Sequence, residues 1–286
     1  SVLEFIRDGS VPNVYYDETL ADSAAETGES WETAIIIDSA RELSYLTQYA
    51  PTAETKGKYY KVADGIKGFD MSGGSQNPKG IINLDGTLEE NFDIITGSGK
   101  NHNAPSSNAF AGHFDGNGAT VYGLWQNIDQ TPKAAGLFPF ATGNVTIKNV
   151  NVSLSYLIAT QYAGGIVGAY FLDTGFADIT KNQLTIEKCS VTESHIETTT
   201  TGNGDYGTKG TGAIYGLARC YSGSFNGNVL VNNCFINLDA DHLVSKVVSG
   251  EKSLHGGIGA TAVTTNAKFT NCVVIGITPY TTFNAG

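Results

Sequence analysis

The stretch TIKNVNV, at residues 146–152, decides the fold because three later stretches repeat its pattern. Each places an apolar residue second and Val or Cys fifth: TIEKCSV at 185–191, LVNNCFI at 230–236 and KFTNCVV at 268–274. The apolar anchors Ile147, Ile186, Val231 and Phe269 follow one another at steps of 39, 45 and 38 residues. We interpret TVYGLW, which begins at Thr120, as a divergent earlier copy.

A second, glycine-rich motif alternates with the first along the chain. It occurs as AGLFPF from residue 135, GGIVGAY from 164, GAIYGLA from 212 and GGIGATA from 256. Two interleaved motifs that share an elastic period of about 40 residues indicate a repeat protein, whose extra residues form loops such as 197–210. Helix-forming residues are scarce, and Thr, Val, Ile, Asn and Gly suit parallel strands joined by turns.

These repeats predict an all-β solenoid in which each coil stacks on the previous one at about 4.8 Å. Equivalent side chains then form columns, and the apolar anchors form a dry core. The spacing around Asn149 indicates a strand that bends around a corner, or one that is covered on both sides.

One amphipathic helix is predicted around residues 39–50. Ser39 and Glu42 have the spacing of a capping box, in which Ser39 is the N-cap. Leu43, Leu46 and Ala50 form an apolar stripe on one side of this helix. Because an open sheet edge invites aggregation, we expect the helix to cap the N-terminal end of the stack.

Several of these segments together resemble the bacterial GLUG-motif repeat, a family named for its Gly-Leu-x-Gly core. They are GHFDGNGATVYGLW, AGLFPF, TIKNV, GGIVGAY and TIEKC, and the resemblance covers residues 30–280. It implies a right-handed parallel β-helix on an exported, adhesin-like protein of gut Bacteroidetes type. The repeat is also found in bacterial immunoglobulin A metallopeptidases. Pro139 and Ala213 replace glycines of the motif, which predicts irregular coils.

We divide the chain into an acidic N-terminal arm or tether at residues 1–30 and a single β-helix domain at 31–286. The first residues lack the apolar core of a signal peptide, so the protein is cytosolic or its numbering follows a removed leader. The family resemblance implies the second alternative, with export to the cell surface or beyond. Without a run of 18 apolar residues, no transmembrane segment is expected.

The net charge of −11 comes from 17 basic and 28 acidic residues. A phosphate-binding surface needs clustered Lys and Arg, and the sequence contains no such cluster. Nucleic acid and anionic membranes are therefore not expected as partners, and the protein is expected to be a monomer.

The stretch FDGNGATVYGL, at residues 114–124, could be either a calcium loop or a tight turn. In an EF-hand alignment, His113 takes position 1 and Leu124 takes position 12, so both essential carboxylates are missing. We therefore expect a turn that uses positive φ angles at Gly116 and Gly118.

Three of the four cysteines, Cys189, Cys234 and Cys272, occupy the same place in the repeat. Stacked positions about 4.8 Å apart are too distant for disulfides, whose Cβ atoms lie about 3.8 Å apart. We expect a buried ladder of reduced thiols, and Cys220 has no counterpart in the pattern. The spacing does not match a zinc site.

No catalytic, metal-binding or cofactor-binding residue can be assigned. The histidines are scattered and H-E-x-x-H is absent, so all five are expected in loops or on the surface: His102, His113, His195, His242 and His255. The best acidic pair is Asp239 and Asp241, which are predicted on one face of a strand. We interpret both of them, and also Asp173 and Asp178, as solvated loop acids.

The aromatic side chains leave two alternatives open. Tyr206, Tyr215 and Tyr221 could line a sugar-stacking groove. Alternatively, as we expect of most aromatic residues here, they cover the stack or pad its loops.

The sequence favours a non-catalytic module, without cofactor or metal, that binds a host or dietary glycan or a host protein, or acts as a spacer. The alternatives are a polysaccharide lyase or hydrolase, and an accessory region of an immunoglobulin A peptidase-like protein that lacks the catalytic domain. Three or more titratable side chains that converge in one surface groove across adjacent coils would favour an enzyme, because function depends on a site rather than on a fold.

Overall fold

The structure is a computed structural model. It describes residues 14–16, 26–71, 109–126, 133–172, 182–199, 208–220, 227–246, 252–262 and 265–276. These ranges are mostly β-strand with a few short helices, so the all-β prediction is confirmed. Within them, no helix has the length and hydrophobicity that crossing a membrane requires.

The N-terminal strands are β1 (Val14–Tyr16), β2 (Ile35–Ile37), β3 (Tyr59–Val62) and β4 (Ile66–Asp70). The first repeat has β5 (His113–Asp115), β6 (Thr120–Tyr122), β7 (Trp125–Gln126), β8 (Ala134–Ala135) and β9 (Phe138–Ala141). The second has β10 (Asn144–Lys148), β11 (Asn151–Ser153), β12 (Tyr156–Ala159), β13 (Tyr162–Gly164) and β14 (Val167–Leu172).

The third repeat has β15 (Gln183–Glu187), β16 (Ser190–Thr192), β17 (His195–Thr198), β18 (Thr208–Gly212) and β19 (Tyr215–Cys220). The fourth has β20 (Gly227–Asn232), β21 (Phe235–Asn237), β22 (Leu243–Ser245), β23 (Lys252–Gly256) and β24 (Gly259–Ala262). Finally come β25 (Thr265–Thr270) and β26 (Val273–Ile275).

Each repeat contributes one strand to each of five sheets. The first sheet has the order β2-β3-β5-β10-β15-β20-β25, and the second has the order β1-β4-β6-β11-β16-β21-β26. The third is β7-β12-β17-β22, the fourth β8-β13-β18-β23 and the fifth β9-β14-β19-β24. Among the described strands, β1 pairs antiparallel with β4 and every other pair is parallel.

The register of the first sheet confirms the alignment of the apolar anchors. Ile147 pairs with Ile186, Ile186 with Val231, and Val231 with Phe269. Phe269 is 43% exposed, because β25 is the last strand of its sheet. The in-register stack therefore buries each anchor that has a strand on both sides.

The alignment of TVYGLW was wrong. Thr120 pairs with Asn151 in the second sheet, whereas Phe114 is the residue that lies opposite Ile147 in the first. The earlier copy of the anchor strand is therefore β5. The sequence misled because the chain bends between β5 and β6, so TVYGLW belongs to the strand after the corner.

The bend between the first and second sheets is a column of left-handed residues. Asn149, Lys188, Asn233 and Asn271 have φ angles of 53°, 53°, 53° and 52°. Asn is one of the few non-glycine residues that adopts this conformation at little cost, since its amide can hydrogen-bond locally. The bent-strand interpretation is confirmed.

The stretch at residues 114–124 is a turn that enters β6. Asn117 and Gly118 have positive φ angles of 52° and 83°, whereas Gly116 does not, so that detail of the prediction was wrong. Gly116 is needed for space instead, because a Cβ atom there would lie 2.5 Å from Cβ of Val150. Asp115 Oδ1 accepts hydrogen bonds from Asn117 N–H (2.8 Å) and from the amide of Asn149 (3.0 Å).

The glycine-rich motif brings the backbones of the fourth and fifth sheets together. A Cβ atom at Gly216 would lie 2.5 Å from the carbonyl oxygen of Gly168 and 2.7 Å from backbone atoms of Ala163. Pro139 lies beside Gly168, because Phe138 pairs with Val167 and Phe140 with Ala169. The motif thus marks a close approach of two strands in which a side chain has no room.

The N-terminal helix has two parts, α1 (Ala40–Ser44) and a π-helical turn (Tyr45–Tyr49), and is followed by α2 (Thr52–Thr55). The N–H of Glu42 donates to Ser39 Oγ (3.2 Å), as a capping box requires. The carboxylate of Glu42 accepts from the N–H of Asp38 (2.9 Å) rather than from that of Ser39. The predicted stripe of Leu43, Leu46 and Ala50 is buried.

Cys189 and Cys234 are buried free thiols, whereas Cys272 is partly exposed. Each sulfur lies near a carbonyl oxygen of the preceding repeat: Cys189 near Ile147 (3.7 Å), Cys234 near Ile186 (3.8 Å) and Cys272 near Val231 (3.4 Å). The predicted ladder of thiols is confirmed for these three residues, except that its last member is not fully buried.

Candidate functional sites: an aromatic face and a histidine cluster

Three rings gather on the outer side of the first sheet and form the aromatic face, defined by Trp31, Tyr59 and His113. Tyr59 pairs with His113 across β3 and β5, so their rings stack with centroids 4.4 Å apart. The Trp31 ring meets Tyr59 edge-on at 4.9 Å. Lys148 Nζ lies 4.0 Å from the centroid of the Trp31 ring, a cation–π contact.

Backbone hydrogen bonds fix the loop that carries Trp31. Gly28 N–H donates to the carbonyl of Thr33 (2.7 Å), and the N–H of Tyr59 donates to the carbonyl of Gly28 (3.0 Å). Ser30 N–H donates to Thr33 Oγ1 (3.2 Å). Trp31 and Tyr59 remain half-buried, so a ligand could reach two rings that are already held in place.

Charged and amide side chains border the aromatic face. Lys148 Nζ lies 3.6 Å from the carboxylate of Asp115, and Lys61 lies 3.0 Å from that of Asp64. Hydrogen bonds from Lys61 and Asn117 lower the pKa of Asp64 below its ordinary value. The border therefore offers carboxylates, ammonium groups and an amide beside the rings.

The second site, the histidine cluster, consists of His195, Glu197, His242 and Lys246. His195 Nε2 is 2.9 Å from Glu197 Oε2, and His195 Nδ1 is 3.0 Å from His242 Nδ1. Lys246 Nζ forms an ion pair with Glu197 Oε1 at 2.5 Å. His195 and Glu197 are buried, whereas His242 is half-buried.

The register of the third sheet assembles this cluster. Ile196 pairs with Leu243, so His242 lies opposite His195 in the next repeat. On the other side Tyr156 pairs with His195, and their rings stack at 4.9 Å with an angle of 17°. Glu197 is two residues beyond His195, which places both side chains on the same side of β17.

Glu197 is an ionised carboxylate in this setting. Its burial acts to raise the pKa, but hydrogen bonds from His195 and Lys246 outweigh that effect and hold the pKa below its ordinary value. The carboxylate can only accept in this contact, so His195 Nε2 carries the hydrogen and donates the hydrogen bond. The described part of the chain contains no group of three or more residues suited to hold a metal ion.

Several residues that the sequence singled out lie elsewhere than expected. His113 and His195 are buried in strands, so the prediction that all five histidines lie in loops or on the surface was wrong for these two. His255 is exposed, as predicted. Tyr215 is fully buried and lines no groove. His102, Asp173, Asp178, Tyr206 and Tyr221 fall outside the described residues.

Asp239 and Asp241 do not share the face of a strand. A 3₁₀-helix, Ala240–His242, follows β21, and Asp239 is its N-cap. Both carboxylates are exposed, which agrees with their interpretation as solvated loop acids. The same turn delivers His242 to His195.

Neither site was found from the sequence, although one regularity could have found the second. The chain has positive φ at Gly123, Leu154 and Glu193, which form a corner between the second and third sheets. Tyr156 and His195 each lie two residues after this corner. An alignment of the repeats on this corner would have placed Tyr156 opposite His195. It would not have placed His242 there, because an irregular turn precedes His242.

The chain was compared with protein-family models, with curated protein sequences and with solved structures, and none of the three gives a match. Function is therefore inferred from the geometry of the two sites. Membership of the GLUG-motif family stays a prediction.

Proposed function

We propose that this chain is a right-handed parallel β-helix module of an exported, adhesin-like protein, and that it binds a host or dietary glycan through the aromatic face. The five sheets support the solenoid, because each takes one strand from every repeat and those strands pair in parallel. The resemblance to GLUG-motif proteins supports the handedness and the location outside the cell.

The N-terminal helix is proposed to cap the stack. Leu43 and Leu46 pack into the main apolar core. Gln48 Nε2 donates to the carbonyl of Leu137 (3.0 Å), directly before β9. Because β9 is the first strand of the fifth sheet, the helix covers part of an open edge, beside Phe110, whose backbone pairs with the end of β9.

The observation that best supports glycan binding is a half-buried tryptophan that is held beside a second ring and a lysine. Ligand sites generally combine aromatic surface with a few well-placed polar groups. The C–H face of a sugar packs on such rings, and its hydroxyls hydrogen-bond to groups such as Asp115 and Lys148. Rigid rings lose little conformational entropy on binding, which favours recognition by a prefolded module.

A glycan array probed with the wild-type protein and with Trp31→Ala tests the proposal. Loss of the aromatic anchor should weaken binding of any captured glycan by about tenfold or more, equivalent to about 1.4 kcal/mol. Tyr45→Ala is the matched control, since Tyr45 is 47% exposed and its hydroxyl donates to Glu54 (2.8 Å), away from the aromatic face.

Two results would contradict the proposal. If Trp31→Ala binds glycans as the wild type does, the aromatic face is not the site. A blank glycan array together with selective capture of a host protein on a parallel protein array would replace the carbohydrate ligand by a protein one.

The histidine cluster favours a second candidate, a carbohydrate-active enzyme. Four titratable side chains from two adjacent repeats converge there, and paired acid and base groups of this kind are what general acid–base catalysis uses. Incubation with polysaccharides, followed by assays for reducing ends and unsaturated sugars, tests this function. Product release that His242→Ala abolishes would establish the enzyme, and no release from any substrate would count against it.

A further inference from the structure

The two imidazoles of the histidine cluster point directly at each other. The ring centroids of His195 and His242 are 5.3 Å apart, and the facing Nδ1 atoms are 3.0 Å apart. The centroid separation exceeds the nitrogen separation by about 2.3 Å, which equals the sum of two imidazole ring radii. Both nitrogens therefore lie on the line that joins the two centroids. A shared metal at about 2.0–2.1 Å from each nitrogen would instead require the lone pairs to converge beside that line.

The tautomers of both rings follow from the hydrogen bonds. Glu197 accepts a hydrogen bond from the N–H at Nε2 of His195, so a neutral His195 has only a lone pair at Nδ1. His242 must then donate its Nδ1 proton across the 3.0 Å gap. One hydrogen bond, from His242 to His195, therefore joins the turn of the fourth repeat to the third repeat.

We propose that this shared proton is an acid-sensitive latch that holds the turn Ala240–His242 against β17. With one proton in the gap, each nitrogen has a partner. Protonation of both rings would place two N–H groups and two positive charges face to face, and the hydrogen bond would be lost.

The surrounding charges relieve this repulsion only in part, through the carboxylate of Glu197 beside His195. Glu197 already has Lys246 as an ion-pair partner, and Tyr156 presents a ring to His195. Asp239 and Asp241 lie on the turn itself and are exposed, so solvent screens them. The described charged groups thus leave the doubly protonated pair unfavourable.

The sign of the pH dependence follows from proton linkage. The open turn binds one more proton than the latched turn, so acid favours opening. The latch holds while one proton lies in the gap, and it weakens as acid supplies the second. Each further pH unit changes the opening equilibrium by up to about tenfold.

Nitrogen-15 NMR of the imidazoles tests the shared proton without any variant. At pH 8, His195 should be the Nε2–H tautomer and His242 the Nδ1–H tautomer. Finding His242 protonated at Nε2 instead would overturn the proposal. So would tight binding of added Zn²⁺ by both rings, which would make the cluster a metal site.

Amide hydrogen exchange tests the latch. Between pH 8 and pH 5, opening at the His242 and Lys246 amides should increase at least tenfold after correction for intrinsic exchange. These amides donate to the carbonyls of Asp239 and Thr198, both at 2.9 Å.

Two variants complete the experiment. His242→Asn does not titrate and should lose the pH dependence, while His255→Asn, which removes an exposed histidine elsewhere, should behave as the wild type. A pH response that persists unchanged in His242→Asn would refute the latch, as would no response in the wild type.

Discussion

The close approach at Gly216 gives the sharpest prediction about stability. Gly216 lies in β19, and its Cα faces the backbones of β13 and β14. The Cβ atom of an alanine there would lie 2.5 Å from the carbonyl oxygen of Gly168, and 2.7 Å from both N and O of Ala163. All three are backbone atoms, so no rotamer change can relieve the overlap.

The expected magnitude for Gly216→Ala follows from the cost of overpacking. To lengthen these contacts to 3.0 Å, β19 must move by about half an ångström away from β14 in its own sheet and by less from β13 in the fourth sheet. Each of these strands is tied by hydrogen bonds to strands on both sides. Overpacking of this kind costs about 1–3 kcal/mol and occasionally more. We expect about 3 kcal/mol, because rigid backbone yields less than side chains.

Urea unfolding followed by circular dichroism measures the effect, with Gly257→Ala as the matched control. Gly257 has nothing within 4 Å of a built Cβ and no positive φ. Its equivalent in the third repeat is already Ala213, because Gly212 pairs with Gly256. Gly257→Ala should therefore gain about 0.4–1 kcal/mol by restricting the unfolded chain. Equal midpoints for the two variants would refute the steric account of the motif.

Two further predictions concern the first corner and the thiol ladder. Lys188→Asn should stabilise the protein by about 0.5–1 kcal/mol in the same unfolding assay, because exposed Lys188 has φ 53° and Asn tolerates that conformation better. The exposed strand residue Lys67 is its control, and an equal gain from Lys67→Asn would contradict the reasoning. In a Cys220→Ser background, a thiol reagent should label Cys272 first, since Cys189 is buried and burial raises the pKa of its thiol well above the ordinary value. Rapid labelling of Cys189 in the native protein would count against the buried ladder.

The stacking register could be predicted from the sequence because its determinants repeat. Anchors such as Ile186 and Val231 occupy the same interior column in every repeat, and a one-residue slip would expose a whole column to solvent. The corner at Asn149 could also be predicted, because few residues other than Asn and Gly adopt positive φ and Asn recurs at this position. The helix at its N-cap, Ser39, was predictable from local hydrogen bonding alone.

The two sites could not be predicted because each depends on residues that do not repeat. Trp31 lies on an irregular loop before the repeats, and only the position of that loop brings it to Tyr59. His242 reaches His195 through a 3₁₀ turn that has no equivalent in the other described repeats. The expectation that Asp239 and Asp241 share a strand failed for the same reason, since the turn interrupts the pattern.

There is a physical reason why interior columns can be predicted from the sequence and the two sites cannot. An interior column must pack tightly along its whole length, so the same residue types recur and leave a period in the sequence. An outer position is free of that constraint, and a change there costs little stability. Function is therefore best sought where an outer column changes chemistry between neighbouring repeats, as it does from Tyr156 to His195 and His242. The same search locates His113 beside Tyr59, where the outer column of the first sheet is aromatic rather than Thr, as at Thr146 and Thr185.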